Sequence, residues 1–224
     1  FSFIDRSILN FLSPLISKHL NLEPWQMGLL KGLAFALFYS IVGLPIAWLA
    51  DRYNRTTIVA VSLGLWSFFT YATGKSTTFL QIGLARMGVG IGEAGGSPPS
   101  HSMISDLYPA EKRASALAFY SLGIPFGLMF AYFITGYALG DPNNGFSWRS
   151  LLIYLGIAGI VLAVLVRVVI REPIRGAQEA RADGRTADIK DTKDNPHYAG
   201  VKRDSIQIHL QWHDEESFEM VERL

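Results

Sequence analysis

The stretch WQMGLLKGLAFALFYSIVGLPIAWLADRYNR, residues 25–55, decides the fold class of this protein. Apolar residues dominate it from Trp25 to Ala50, and a charged turn from Asp51 to Arg55 ends it. A helix rises about 1.5 Å per residue, so about 20 apolar residues cross the roughly 30 Å of hydrocarbon in a bilayer. The block therefore predicts a transmembrane helix that ends at one membrane face.

Further apolar blocks of similar length lie on both sides of this one. They extend over residues 1–22, 56–74, 79–105, 114–139 and 148–170. Hydrophobic residues make up 50% of the 224 residues and charged residues only 17%, whereas soluble domains carry about 25% charged residues. The sequence predicts an all-α integral membrane protein, with a bundle of six transmembrane helices over residues 1–176 and a polar, largely flexible cytoplasmic tail or linker over residues 177–224.

The basic residues of the loops predict the orientation of the bundle. The loops after the second, fourth and sixth helices form one end, here called the basic end, which carries Arg52, Arg55, Lys112, Arg113, Arg171 and Arg175. The opposite loops carry only Lys18, Lys75 and Arg149. Short cytoplasmic loops of membrane proteins retain positive charge. We therefore expect the basic end to face the cytoplasm, together with the first and last residues of the bundle. We expect the protein to lie in a plasma or bacterial inner membrane.

The composition also limits the classes of site. The chain has no cysteine, which excludes disulfides and Cys-based zinc or iron–sulfur sites. Its net charge of +1 gives no reason to expect a nucleic-acid partner. In the tail, His209 and His213 have the spacing of metal ligands on a helix, but the residues around them alternate as in a strand, so we expect no metal. We expect no cofactor either.

Four charged residues lie well inside the predicted membrane helices, where an unpaired charge costs several kcal/mol. Asp5 and Arg6 lie in the first helix, and Arg86 and Glu93 lie in the fourth. Seven residues are close to two helical turns, so Arg86 and Glu93 project from one face, about 10 Å apart. We expect Glu93 to pair with Arg6 and Arg86 with Asp5, or a mixture of these pairs. Such a network can simply fix helix packing, but two carboxylates at mid-depth favour a functional role.

The fourth predicted helix also contains small residues that repeat every four positions. Gly88, Gly92 and Gly96 form a stripe that allows a neighbouring helix to approach closely. Pro98 and Pro99 follow, and we expect them to break this helix.

Several motifs resemble those of the major facilitator superfamily. The loop from Ala47 to Thr56 resembles the signature loop between helices two and three of that superfamily, and its Asp-Arg-x-x-Arg core is Asp51, Arg52 and Arg55. Two further motifs are similar to those of helices four and five, namely Arg86 with Gly90, and residues 123–127. Residues 51–55, 90–94 and 171–176 resemble, more specifically, the Spinster-like branch.

This resemblance implies the N-terminal half of a twelve-helix major facilitator fold, without the second six helices. It implies alternating-access, proton-coupled transport of a small organic or lipid-like solute, with Asp5, Arg6 and Glu93 at the coupling site. Arg86 joins that predicted coupling and substrate cavity because it shares a helix face with Glu93. The predicted cytoplasmic gating loop contains Asp51, Arg52, Arg55 and Arg113, and we expect Asp51 to pair with Arg55 or Arg113.

The alternatives concern the activity. The expected partners are the solute, protons, the lipid bilayer and the missing C-terminal half. A membrane protease using Ser97 and His101 is disfavoured because both lie on one predicted helix, so we expect no enzyme. The chain has no initiator Met and lacks a second half, so we expect a fragment or a half-protein. A truncated membrane scaffold without transport activity remains the alternative.

Overall fold

The computed structural model describes residues 1–140 and 146–178. Within these ranges the regular secondary structure is entirely helical. A π-helical turn over Leu29–Leu33 joins the second helix to the third. The nine α-helices of these ranges are α1 (Ser2–Leu20), α2 (Pro24–Gly28), α3 (Ala34–Arg52), α4 (Arg55–Lys75), α5 (Phe79–Glu93), α6 (Ser97–Leu107), α7 (Ala110–Ser121), α8 (Gly123–Gly140) and α9 (Trp148–Val169). The predicted all-α fold class is confirmed.

These helices form six consecutive rods, because α2 continues into α3, α5 into α6, and α7 into α8. Four of the rods have the length and composition of a membrane span, namely Pro24–Arg52, Arg55–Lys75, Ala110–Leu139 and Trp148–Val169. The other two are α1, which contains Asp5 and Arg6, and the rod of α5 and α6, which is interrupted by a turn. The polar residues of α1 lower its hydropathy, and the turn between α5 and α6 shortens the continuous helix. Neither rod therefore has the composition and length of a membrane span, although both correspond to predicted helices.

Helix α4 packs against α9 on one side and α5 on the other, while α3 packs against α5 and α1 against α8. The stripe of small residues allows the close approach of α5 to α4. A Cβ atom added at Gly92 would lie 2.6 Å from the backbone nitrogen of Trp66. On α9, a Cβ atom at Gly156 would lie equally close, 2.6 Å, to the backbone nitrogen of Tyr71. The predicted packing role of the stripe therefore agrees with the structure.

The interruption between α5 and α6 lies earlier than the sequence indicated. The chain turns at residues 94–96, and Pro98 and Pro99 lie in the first turn of α6. The first turn of a helix accepts proline because its N–H groups have no partner within the helix. The two prolines therefore begin a helix, and the glycines before them form the break.

The surface of the bundle is rich in large apolar side chains. Leu44, Phe119, Tyr137 and Val168 are each more than three quarters exposed. The apolar core that holds α1 to its neighbours is built from fully buried residues such as Ile8, Leu12, Leu30 and Ile82. An apolar surface of this extent requires a cover, and the hydrocarbon of a bilayer provides one.

The predicted tail lies almost entirely outside the described residues. Of residues 177–224, the structure describes 177 and 178. The possible strand near Ile206 and the possible ligands His209 and His213 lie outside the described part of the chain.

Candidate functional site: a buried charge cluster

The four charged residues predicted inside the membrane helices come together where α1 meets α5. Arg6 Nε donates a hydrogen bond to Glu93 Oε2 at 2.5 Å. The Glu93 side chain is completely buried, whereas that of Arg6 remains 32% exposed. The predicted pair between the first and fourth predicted helices is therefore present, with its acidic member in the interior.

The second predicted pair does not form in this structure. Arg86 and Asp5 are both buried, yet the salt bridges of the described residues do not include one between them. The hydroxyl of Thr70 on α4 shares its proton between Asp5 Oδ2 at 3.3 Å and the Trp66 carbonyl oxygen at 3.0 Å. The difference arises because α4 packs against α5 and places a polar side chain beside Asp5, which helical spacing along α1 and α5 does not reveal.

Three polar atoms of the cluster are buried without a hydrogen-bond partner. They are Asp5 Oδ1, Arg86 Nε and Glu93 Oε1. A buried polar group left without a partner costs about 1–3 kcal/mol, and native structures keep few of them. The cluster therefore has hydrogen-bonding capacity that water, a ligand or a second conformation can satisfy.

Aromatic rings of α3 hold the two arginines. The Arg6 guanidinium carbon lies 4.6 Å from the Phe35 ring centroid and 5.0 Å from that of Tyr39. The guanidinium carbon of Arg86 lies 5.5 Å from the same Phe35 ring. Cations are attracted to aromatic faces, most strongly away from water. Phe35 and Tyr39 were not found from the sequence, because aromatic residues one turn apart on an apolar helix also fit lipid contact or packing.

A small cavity lies beside the Arg6–Glu93 pair. It has a volume of about 180 Å³, and Trp66 and Tyr120 also line it. Ser97 and Ser100 of α6 contribute polar groups to its wall. Trp66 was another residue missed from the sequence, since a tryptophan inside an apolar helix gives no sign that its N–H lacks a partner.

A second charged cluster lies at the basic end and contains Arg55 of the predicted gating loop. Arg55 is fully buried and donates to Asp106 Oδ2 at 2.5 Å and to Glu172 Oε1 at 2.7 Å. It also donates to the Ser102 hydroxyl at 2.8 Å. Asp51 is exposed and has no ion pair among the described residues. The expected pairing of Asp51 with Arg55 or Arg113 is therefore absent, because Arg55 turns inward to Asp106 and Glu172, which are only partly exposed.

The segment after α9 is tied into the same cluster. Glu172 Oε2 accepts the backbone N–H of Thr56 at 2.9 Å, which satisfies a free donor in the first turn of α4. Arg175 donates to the backbone carbonyls at the end of α3, namely those of Ala50, Asp51 and Tyr53. Burial lowers the pKa of Arg175 from its usual value, and nearby Arg55 lowers it further. These contacts fasten the start of the segment to the bundle.

The other two residues of the predicted gating loop have local partners. The Arg52 guanidinium carbon lies 4.1 Å from the Trp48 ring centroid. Arg113 Nε donates to the Ser105 and Tyr108 carbonyls at 3.1 and 3.2 Å. The structure thus brings Arg55 into a charged network, and it leaves Asp51, Arg52 and Arg113 outside that network.

Known proteins similar to this chain are membrane transporters. The family description "Major Facilitator Superfamily" matches residues 1–209. An "MFS-type efflux pump" of Mycolicibacterium smegmatis is 31% identical over 75% of this chain and 38% of its own length. "Protein spinster homolog 1" of Homo sapiens is 30% identical over 81% of this chain and 34% of its own length.

A solved structure shares both sequence and fold with this chain. The inward-facing, occupied form of a bacterial homolog to the human lysosomal transporter Spinster is 34% identical, with a TM-score of 0.73 over 80% of this chain and 43% of that one. The chain therefore spans well under half the length of the relatives described here. On this evidence the chain belongs to the major facilitator superfamily, and it resembles the N-terminal half of a Spinster-like member.

Proposed function

We propose that this chain forms half of a secondary active transporter that moves a small organic or lipid-like solute by alternating access, coupled to protons. The observation that carries the proposal is the ion pair between the buried Glu93 and the partly exposed Arg6, beside the buried Asp5 and Arg86. Charged residues inside a membrane bundle are costly and mark transport pathways or proton relays. Alternating access also needs a second half to close the cavity, and the chain spans less than half the length of the relatives described above.

The coupling mechanism depends on whether Arg6 and Glu93 are in contact. While Arg6 contacts Glu93, the positive charge favours the ionised carboxylate. When α1 and α5 separate, Glu93 loses this partner in a poorly hydrated environment, and protonation becomes favourable. Asp5, with one oxygen bonded to Thr70 and one without a partner, is the second proton acceptor. One conformational cycle then takes up a proton on one side and releases it on the other.

The relatives suggest which solutes to test first. Their printed names include a "Hexuronate transporter" and a "Probable galactarate/D-glucarate transporter GudP" of Bacillus subtilis, besides the spinster proteins. Arg6, whose side chain remains 32% exposed, is the cation of the cluster that an organic anion can contact. We infer an anionic or zwitterionic solute, and the test panel should contain hexuronates and lysophospholipids.

Replacing Glu93 by Gln tests the coupling. In proteoliposomes containing the complete transporter, we expect Glu93→Gln to abolish uptake driven by a pH gradient and to spare solute exchange, because the amide retains the shape without titrating. Glu23→Gln, an exposed carboxylate near the start of α2, is the matched control and should transport normally. If Glu93→Gln and Asp5→Asn both retain uphill transport, coupling occurs elsewhere. Failure of the unsubstituted protein to move any solute would favour the scaffold alternative.

We propose that the protein lies in the plasma membrane and that its basic end faces the cytoplasm. The chain has no cysteine, so Lys112→Cys and Lys75→Cys each introduce a unique thiol. An impermeant thiol reagent applied to intact cells should label position 75 and leave position 112 unmodified. The reverse pattern would invert the orientation.

A further inference from the structure

We propose that a groove between α4 and α5 binds one phospholipid, with the phosphate at Lys75 and one acyl chain lying along the groove. The groove lies at the end of the bundle opposite the basic end. An anionic headgroup such as phosphatidylglycerol fits it better than a zwitterionic one, because the charged residue at its mouth is a lysine. The site is separate from the interior charge cluster, so it does not depend on the proposed transport function.

The groove, called here the α4–α5 groove, has a volume of about 450 Å³. Its lining includes Phe68, Ala72 and Lys75 of α4 and Gln81, Leu84 and Ala85 of α5. Residues three or four apart share one face of a helix, so each set forms a continuous wall. Lys75 and Phe68 are seven residues apart, which is about 10 Å along a helix. The groove is therefore polar at its mouth and apolar below, as a phospholipid is.

Lys75 has a positive charge with no counter-ion among the described residues. It is exposed, and the ion pairs found there do not include it. Its Nζ lies 6.0 Å from the ring centroid of Tyr71, which also lines the groove. The carbonyls at the end of α4, the usual partners of such a lysine, accept instead from Arg149, at 3.4 Å for Gly74 and closer for Ser76. Lys75 is therefore available to an anion at the membrane face.

Gln81 adds a neutral donor from α5 at the same mouth. Its Oε1 accepts the backbone N–H of Thr77 at 2.8 Å and the Thr77 hydroxyl at 3.1 Å. Both bonds use the amide oxygen, so the orientation of the amide is fixed and its NH₂ group is left as a donor. A phosphate has several acceptor oxygens, and it can accept from this amide and from the ammonium of Lys75 together.

The position of the groove favours the bilayer over the second half of the transporter as its cover. Phe68 and Leu84 are 52% and 57% exposed. The rings beside the exposed Arg6 come from α3, and α7 adds Tyr120 to the cavity there, whereas neither helix lines the groove. A second half that closes over Arg6 therefore meets α3 and α7. A free phosphate would leave the apolar wall uncovered, but a phospholipid covers both parts.

A fluorescent label below the groove measures which lipid occupies it. Leu65 lies three residues before Phe68 on the same face of α4 and does not line the groove. It is ten residues from Lys75, about 15 Å along the helix, near the depth of bromine atoms in the middle of an acyl chain. The probe is the full chain with Leu65→Cys labelled with bimane, in phosphatidylcholine vesicles that contain brominated phosphatidylglycerol or brominated phosphatidylcholine. The chain has no other cysteine, so the label is unique.

Removing the charge tests the headgroup site. A lysine near an anionic lipid surface should favour brominated phosphatidylglycerol over brominated phosphatidylcholine about fivefold as a quencher. Lys75→Gln should abolish this preference. Lys18→Gln, which removes an exposed cation at the same end but outside the groove, should retain it. No preference in the labelled protein without these changes, or the same preference after Lys75→Gln, would overturn the proposal.

Filling the groove tests the acyl-chain site. Ala72→Phe places a ring where the chain would lie, so the excess quenching by brominated phosphatidylglycerol should disappear although Lys75 is still present. Val168→Phe, at a position of α9 that is 77% exposed and outside the groove, should leave the quenching unchanged. Unchanged quenching in Ala72→Phe would overturn the proposal. So would an absence of quenching by either brominated lipid, which would mean that protein covers this face.

Discussion

The described residues contain two charge clusters that are hydrogen-bonded to very different degrees. At the basic end, Arg55 is bonded to Asp106, Glu172 and Ser102, and Glu172 also accepts from the start of α4. In the interior, Arg6 and Glu93 form one ion pair, while Asp5, Arg86 and Glu93 each keep an unpartnered atom. Each cluster contains two acids, buried in the interior cluster and partly exposed at the basic end, and only the basic-end cluster is close to fully hydrogen-bonded.

The difference indicates different roles. A buried ion network whose groups are fully bonded holds its elements in one arrangement, and removing a member leaves an uncompensated charge. A cluster with unpartnered groups is stabilised less by its present arrangement and more readily adopts another. We therefore interpret the basic-end cluster as a fastening of α4, α6 and the segment after α9, and the interior cluster as the part that changes during function.

Breaking the basic-end cluster should have the largest effect. Arg55→Met removes the buried cation and leaves the partly exposed Asp106 and Glu172 without it, so the free energy of unfolding should fall by about 3 kcal/mol. Unfolding of the purified chain in mixed dodecyl maltoside and dodecyl sulfate micelles measures this change. Arg52→Met is the matched control, because Arg52 is exposed and contacts one aromatic ring, and it should cost no more than about 1 kcal/mol. Equal losses in both variants would remove the distinction drawn for Arg55.

Changing the interior cluster should have the smallest effect on stability. Glu93→Gln removes one ion pair, but it also removes a buried charge whose second oxygen has no partner, so we expect the free energy of unfolding to change by less than about 1 kcal/mol. The same micelle titration gives the value beside that of Arg55→Met. A loss as large as that of Arg55→Met would mean that Glu93 mainly fixes helix packing.

The two clusters also differ in how far the sequence reveals them. For the interior cluster, depth along the helices and a spacing of seven residues were enough to select all four charges and one correct pair, Arg6 with Glu93. For the basic end, the family motif selected Arg55, but its partners Asp106 and Glu172 lie 51 and 117 residues away. Nothing in a helical period specifies which distant acid will meet a given arginine.

By itself, the sequence determined the helical class, the approximate ends of the six rods, the close packing at the glycine stripe and the family. These properties depend on the length of the apolar segments, on residue size and on short motifs, and each of these is a property of residues that are close together in the sequence. Only the tertiary structure decided which helix lies beside which. The approach of α4 gave Asp5 the Thr70 hydroxyl in place of Arg86, and α3 brought aromatic rings to both arginines. The small cavity at Glu93 likewise exists because α1, α4, α6 and α7 meet there, a juxtaposition that no single helix encodes.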